Sequence, residues 1–417
     1  MAQPTGIHAR RAALKMLDAV LRRGETLEQA GPGALRDVRD ANDKALARAI
    51  AGEALRWLTD LDALIDSATK NPLPDDAKPR SVLRLMLAQA LRLETPPHAV
   101  IATGLPLLAG GPRRLAHGVF STLMKREAAL PASPTLPDGV VARWGEQRAA
   151  AIARGLVQPP EVDLAIKNAE ETEIWQAKLG GVSLARGHVR VPRGTAIEKL
   201  DGYDEGAWWV QDLAATIPAA LMGEPDGHAL DLCAAPGGKT MALAARGWKV
   251  TALDMSKRRL DALKDNLKRT GLKASPVRAD ALTWEPKHAF DAVLIDAPCT
   301  ATGTCRRHPD VLHRIRAQDI PEMVEIQRAL TVKAAQWLKP GGTLVYAVCS
   351  LESEEGEGQA AWIDETLGLT AAPIAADELP AGLTPTREGW VRTDPGQLPD
   401  QGGLDGFFIG RWRKPEG

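Results

Sequence analysis

His228-Ala-Leu-Asp-Leu-Cys-Ala-Ala-Pro-Gly-Gly-Lys-Thr240 joins a short apolar run to a Gly-rich turn, and a helix-forming stretch continues from Thr240 to residue 246. An apolar run of this length, closed by turn residues, reads as a buried strand. The same alternation recurs downstream. Residues 249–253, 275–278, 290–295 and 343–347 read as further strands, and 406–411 as one of the last. Between them lie a helix over 256–270 and a long helix whose apolar face carries Met323, Ile326, Leu330, Ala334, Trp337 and Leu338. Strands alternating with helices in this way build a mostly parallel sheet covered on both faces, an α/β fold.

The pattern upstream is different. From residue 8 to about 128 the apolar positions recur only at helical spacing: Leu14, Leu17 and Leu21, then Leu58, Leu61 and Ile65, then Val82, Leu85, Met86 and Leu93. Asn71-Pro-Leu-Pro74 and Pro96-Pro97 interrupt it where loops are needed. This is an all-helical bundle, and periodicity alone suits a structural, protein-binding or RNA-binding module equally. The Pro-rich stretch 131–137 reads as a linker. A mixed region follows, with a helix over 141–156 and a strand over 189–191. The expected division is therefore 1–130 helical, 131–227 linker with a small α+β extension, and 228–417 α/β.

Composition limits the function classes. The chain has 417 residues, 44% hydrophobic and 25% charged, with a formal net charge of -1. That is a globular profile. No apolar run approaches the ~20 residues a bilayer-spanning helix needs. Charge is spread through the first twenty-five residues, including Arg10-Arg11, so a signal segment is not expected. A cytoplasmic monomer without membrane partners is the expectation. The first 130 residues have a mild excess of Lys and Arg over Asp and Glu, which permits a local RNA-binding patch. The four cysteines, Cys233, Cys299, Cys305 and Cys349, form no C-x-x-C pair, which argues against a zinc cage.

In an open α/β sheet, ligands bind beyond the carboxyl ends of the strands. The residues there are Cys233-Ala-Ala-Pro-Gly-Gly-Lys239, Asp254, Asp280, Asp296-Ala-Pro-Cys299 and Cys349. One rim thus gains a glycine turn, three carboxylates and two thiols, a combination that supports a ligand site. The G-x-G-x-x-G and G-x-x-x-x-G-K-[ST] spacings are absent, which disfavours NAD and ATP. Asp254 is placed to accept ribose hydroxyls and Asp280 an adenine amine, although each Asp alone is more often a cap or turn residue. A single cysteine at a strand end is usually packing. Two beside Asp296 favour a nucleophile. Cys305 lies outside this pattern. Arg306, Arg307 and His308 read equally well as phosphate contacts or as a solvated charge run.

Taken together, Leu230-Asp-Leu-Cys-Ala-Ala-Pro-Gly-Gly-Lys-Thr240, Asp296-Ala-Pro-Cys-Thr-Ala-Thr-Gly303, Arg306-Arg-His-Pro-Asp310 and Tyr346-Ala-Val-Cys-Ser350 closely resemble the RNA cytosine-5 methyltransferases, the Sun family. Within that family the likeness is greatest to the bacterial enzymes of small-subunit ribosomal RNA. Trp208-Trp-Val-Gln-Asp212 and Gly403-Leu-Asp-Gly-Phe-Phe408 also look like that group, and the helical region resembles its NusB-like RNA-binding domain. The resemblance implies a class I, Rossmann-like, S-adenosylmethionine-dependent methyltransferase acting on RNA, with ribosomal RNA as the expected partner. It implies that Cys233, Ala234, Ala235, Pro236, Gly237, Gly238, Lys239, Asp254, Asp280 and Asp296 line the cofactor site, that Cys349 is the nucleophile, and that Cys299 assists release. Asp296 and Lys239 join the catalytic group, Asp296 by favouring protonation of the base and Lys239 by holding carboxylates or lowering a thiol pKa. The chain departs from the family's pattern at Thr300, Val348 and Leu115-Ala-His-Gly-Val119. Two alternatives stay open: a transfer RNA cytosine-5 methyltransferase and a catalytically silent RNA-binding assembly factor.

Overall fold

The structure is a computed structural model that describes residues 6–416. Contacts divide the chain into two units, Met1–Val157 with Arg307–Arg316, and Gln158–Arg306 with Ala317–Gly417.

The first unit is helical: α1 (Ile7–Arg23), α2 (Leu27–Ala34), α3 (Ala41–Arg56), α4 (Leu58–Ser67), α5 (Lys78–Leu91), α6 (Pro97–Gly104), α7 (Gly110–Lys125), α8 (Asp138–Trp144) and α9 (Glu146–Gly155). Local chemistry sets the helix starts. Thr26 and Gln29 form a reciprocal capping box on α2, and the Asp40 carboxylate accepts from the N–H groups of Asn42 and Asp43 at the head of α3. Leu17, Leu61, Ile65, Val82, Leu85 and Met86 are buried, as the helical spacing requires, and Phe120 joins them. Leu21 and Leu93 pack at the margin of the same core.

Two features carry this unit past residue 130. Arg56, buried beside Glu53 at 3.1 Å, donates to the Leu156 carbonyl at 3.2 Å, and Arg92 donates to both Glu53 and the Val157 carbonyl. The Pro-rich stretch is fastened too: Thr135 donates its N–H and hydroxyl to the two Asp60 oxygens at 2.9 and 2.6 Å. The segment expected as one helix over 141–156 is two, α8 and α9. They break at Gly145, whose φ of 77° a β-carbon disfavours.

The second unit begins with a small antiparallel sheet of order β2-β1-β3, made from β1 (Val162–Ile166), β2 (His188–Val191) and β3 (Trp208–Val210), with α10 (Thr172–Leu179) between β1 and β2. Then come α11 (Leu213–Ala220), β4 (His228–Leu232), α12 (Gly238–Arg246), β5 (Lys249–Asp254), α13 (Lys257–Thr270), β6 (Ala274–Arg278) and β7 (Phe290–Asp296). After α14 (Val311–Arg314), which belongs to the helical unit, follow α15 (Ile320–Trp337), β8 (Leu338–Val348), α16 (Glu357–Thr366), β9 (Thr370–Ala371), β10 (Val391–Thr393) and β11 (Phe407–Arg413). The main sheet runs β10-β11-β8-β7-β4-β5-β6, with β9 on β11. Strands β8, β7, β4, β5 and β6 are parallel, and β11 is antiparallel to β8.

Both faces of the sheet are covered, which is why β4 and β7 read as mostly apolar runs, interrupted only by Asp231 and Asp291, rather than as alternating ones. One face buries Leu294, Val345 and Ile409 with α11 and Leu243 of α12; the other buries Leu230, Val293 and Tyr346 with Leu330 and Trp337 of α15. Chain order along the sheet reverses at β4, between β5 and β7, so the turn after β4 sits at the switch point where α/β sheets open a crevice. Among the described residues, no helix is long and apolar enough to cross a membrane.

Candidate functional site

The turn leaving β4 is built for close backbone approach. Cys233 takes a left-handed φ of 64° and Gly237 a φ of 110°, and a β-carbon at Gly237 would meet Leu263 Cγ at 2.9 Å. A left-handed non-glycine residue costs energy and tends to persist where the site uses it. The N-terminus of α12 has no side-chain cap and no acid in its first turn, so its N–H groups remain available to an acceptor. Asp254, 3% exposed at the end of β5, accepts from the N–H groups of Ala235 at 3.1 Å and Ser256 at 2.8 Å. It thereby braces the turn; Oδ2 also lies 3.5 Å from Arg259 Nη1, which leaves Oδ1 the freer oxygen. The helix cap itself is Ser256, whose hydroxyl accepts from Arg259 N–H.

Asp280 stands two residues beyond β6 and is exposed, and its Oδ1 accepts from Leu282 N–H, closing a turn. Asp296 ends β7, with Oδ2 2.8 Å from Lys239 Nζ. Lys239 is not a solvated lysine. It is 7% exposed and lies 5.2 Å above the Phe407 ring. Burial works against its charge, but Asp296, Cys349 and Asp231 outweigh that and hold its pKa above the usual lysine value.

The two thiols meet. Cys299 Sγ and Cys349 Sγ are 3.5 Å apart, each partly buried at the end of its strand. The hydrogen bond to Cys349, then burial, then the charges of Cys349 and Glu355 push the Cys299 thiol well above the ordinary cysteine range. Burial, with Asp296, Asp254 and Asp231 nearby, pushes Cys233 up to about 12, so it stays a neutral thiol. Cys305 is fully buried.

Two further residues contribute that the sequence did not single out as site residues. Asp231, within β4 and wholly buried, accepts from the Thr240 hydroxyl through Oδ2, while Oδ1 has no protein partner. Burial raises its pKa to about 7, aided by Asp296 and Asp254. Glu355, also fully buried, accepts from the groups that follow each cysteine, Thr300 and Ser350. Its only sequence signal is an acid five residues past Ser350, which an acidic run (Glu352, Glu354, Glu355, Glu357) conceals.

Arg306 is a correction to the phosphate-contact reading. It is 2% exposed and lies 3.2 Å from Asp212 and 3.4 Å from Asp405. A guanidinium this deep needs its counter-charges and is not offered to a ligand. The same contacts show why the segments around Asp212 and Asp405 accompany the rest: Asp212 Oδ1 accepts from Asp405 N–H at 3.1 Å.

This donor set fits S-adenosylmethionine. It combines an uncapped helix N-terminus, a glycine turn where a side chain would collide, and carboxylates after three successive strand ends for hydroxyl, amine and sulfonium groups.

The comparisons agree with this geometry. Residues 218–413 match the family described as 16S rRNA methyltransferase RsmB/F, and residues 7–107 match the NusB family. The chain is 32% identical over 431 residues to ribosomal RNA small subunit methyltransferase B of Xylella fastidiosa, covering 97% of this chain and 98% of that one. The protein of the same name from Klebsiella pneumoniae is also 32% identical, with the same coverage. Among solved structures, PH0851 superposes with a TM-score of 0.73 at 24% identity, covering 99% of this chain and all of that one. NSun6 of Pyrococcus horikoshii, solved with the S-adenosylmethionine analogue SFG, superposes over 67% of this chain and 99% of that one, with a TM-score of 0.58 at 19% identity. The chain belongs to the RsmB/F methyltransferase family, with S-adenosylmethionine as its methyl donor, a NusB-family region at its head and a class I methyltransferase fold behind it.

Proposed function

We propose that this protein methylates carbon 5 of a cytosine in small-subunit ribosomal RNA through a covalent adduct on Cys349. The observation that carries the reading is the 3.5 Å approach of Cys299 and Cys349 beside the Lys239–Asp296 ion pair.

Carbon 5 of cytosine is a weak nucleophile. The Cys349 thiolate adds to carbon 6, breaking the ring's aromaticity and making carbon 5 enamine-like. When bound, S-adenosylmethionine supplies the electrophilic methyl group. Lys239, buried with Asp296 at 2.8 Å, holds that carboxylate towards the base. Asp296 stabilises the adduct by favouring a proton on ring nitrogen 3. Cys233 to Gly238, Asp254 and Asp280 form the cofactor's cradle.

Release needs a base for the carbon 5 proton, and Cys299 serves. The largest cause of its raised pKa is its hydrogen bond to Cys349. Once Cys349 is bonded to carbon and has lost its charge, that restraint goes and Cys299 gives up its own proton more readily. Its thiolate then takes the carbon 5 proton, the electron pair re-forms the ring double bond, and the bond from carbon 6 to Cys349 breaks.

A target cytosine must be unpaired or extruded to reach two thiols at strand ends. The helical region supplies RNA contacts, and residues 228–417 carry the chemistry. Exposed Arg113, Arg114, His117 and Lys125 on α7 support the RNA-contact part of this reading. Bisulfite sequencing of total RNA from cells with and without the protein tests the whole. Loss of one or a few small-subunit ribosomal positions is the expected result. Loss confined to transfer RNA moves the substrate, and no change at any cytosine removes the activity.

A further inference from the structure

The two thiols sit on different strand ends, β7 and β8, and nothing in a sheet by itself sets the spacing of the loops beyond them. Glu355 spans that gap. Its Oε1 accepts from the backbone N–H of Thr300 at 3.0 Å and from Gln327 Nε2 at 2.9 Å, while its Oε2 accepts from the hydroxyls of Thr300 and Ser350, each at 2.5 Å. Thr300 follows Cys299 directly and Ser350 follows Cys349 directly. One fully buried carboxylate therefore grips both cysteine loops by the residue next to the sulfur.

The surroundings hold that carboxylate firmly. Gln327 also donates to the Pro298 carbonyl and accepts from Gln359, so the grip is anchored to α15 and α16. Tyr346 in β8 donates its hydroxyl to the Glu355 carbonyl at 2.8 Å, fixing the backbone beneath it. Glu352 N–H donates to the Ser350 hydroxyl and Leu351 N–H to the Thr302 hydroxyl, completing the polar layer under the thiols. Charge-assisted hydrogen bonds to a buried carboxylate are among the stronger ones, and here both Glu355 oxygens are satisfied, although Gln359 Oε1 at the edge of the network has no protein partner.

We propose that Glu355 is a positioning residue for the methyl-transfer site, setting the distance between Cys299 and Cys349 and placing a buried carboxylate beneath the two cysteine loops. The inference rests on the two-thiol reading above. The Glu355 charge opposes ionisation of Cys299. The other groups acting on the pair are Asp296 at the end of β7 and Tyr346 in β8, and Arg392 of β10 donates to the Ser350 carbonyl. Removing the Glu355 charge while keeping its shape thus eases ionisation of Cys299.

The test uses the full chain and the variants Glu355→Gln, Glu355→Ala and Cys349→Ala, each checked for thermal unfolding and S-adenosylhomocysteine affinity. Gln keeps an oxygen for Thr300 N–H and Gln327, and the Thr300 and Ser350 hydroxyls can turn to accept from its amide. Glu355→Gln is therefore the folded probe. Its kcat falls at least tenfold with KM for RNA within about twofold, and Glu355→Ala falls further. Peptide-mapped iodoacetamide labelling, followed against pH, shows Cys299 in Glu355→Gln reacting at lower pH than in the unaltered protein, a change that looser packing alone would not direct to one thiol. Wild-type kcat and unchanged Cys299 labelling in Glu355→Gln overturn the proposal. Turnover retained by Cys349→Ala overturns the two-thiol reading instead, and the labelling profile still decides whether Glu355 acts on Cys299.

Discussion

The helical unit and the carboxyl rim of the α/β sheet treat buried polarity in opposite ways. In the helices, most deep charges are matched, Arg10 against the Gln89 amide being an exception. Arg80 and Arg84, 3% exposed each, lie against Asp62 and Asp66, and Arg56 and Arg92 share Glu53. At the rim, Asp231 keeps a buried oxygen without a protein partner, Cys233 holds a left-handed backbone, and two thiols face each other instead of packing apolar surface. The first arrangement suits a folded state that only has to be stable. The second leaves polarity and strain in place for a ligand, the usual mark of a working site.

That contrast can be broken at four points. Cys349→Ala has the largest expected effect: methylation of an RNA substrate drops by about 10⁴-fold or more, while S-adenosylhomocysteine affinity by calorimetry stays close to the unaltered value. Retained turnover would show that the rim needs no nucleophile there. Cys299→Ala comes next. Turnover falls by roughly 10²–10⁴-fold, and a protein–RNA species that survives denaturing electrophoresis accumulates, because the carbon 5 proton has lost its acceptor. A gel without that species assigns Cys299 another part.

In the helical unit the expected loss is of stability. Glu53→Ala strands Arg56 and Arg92, and denaturant unfolding should show a loss of about 3–5 kcal/mol. S-adenosylhomocysteine affinity, belonging to the other unit, stays unchanged. A stability loss under 1 kcal/mol would mean that water replaces the carboxylate easily.

The smallest effect is at Asp231. Its carboxyl is raised to about 7 in the folded chain from an ordinary 3.8. The unfolded chain therefore releases this proton first as pH rises. The group's contribution is complete below about 3.8 and is lost as pH climbs through 7. Asp231→Asn removes that decline, so its melting temperature should gain on the unaltered protein as pH rises from about 4 to about 7, with no further gain above that. Parallel pH profiles would show Asp231 already ionised in the fold.

The sheet was legible because a parallel strand buried on both faces needs an apolar run, and such runs end where Gly, Asp and Cys begin; β4, β5 and β7 all announce themselves in this way. The single helix expected over 141–156 failed on one residue, since Gly145 in that window has the conformation that stops a helix, which periodicity does not register. Arg306 was unreadable for a related reason. A run of Arg-Arg-His looks solvated until Asp212 and Asp405, distant in sequence, close around its first member.

The amino-acid sequence by itself determined which side chains reach the rim, because the strand ends are local features and Cys299, Cys349, Asp254 and Asp296 sit on them. Tertiary structure alone decided what those side chains do to one another. The 3.5 Å between the sulfurs, the Lys239–Asp296 contact and the reach of Glu355 across two loops depend on strand order and twist, which bring residues fifty positions apart into contact. Hydrogen bonding and desolvation act over a few ångströms, so they follow spatial neighbours and not chain neighbours.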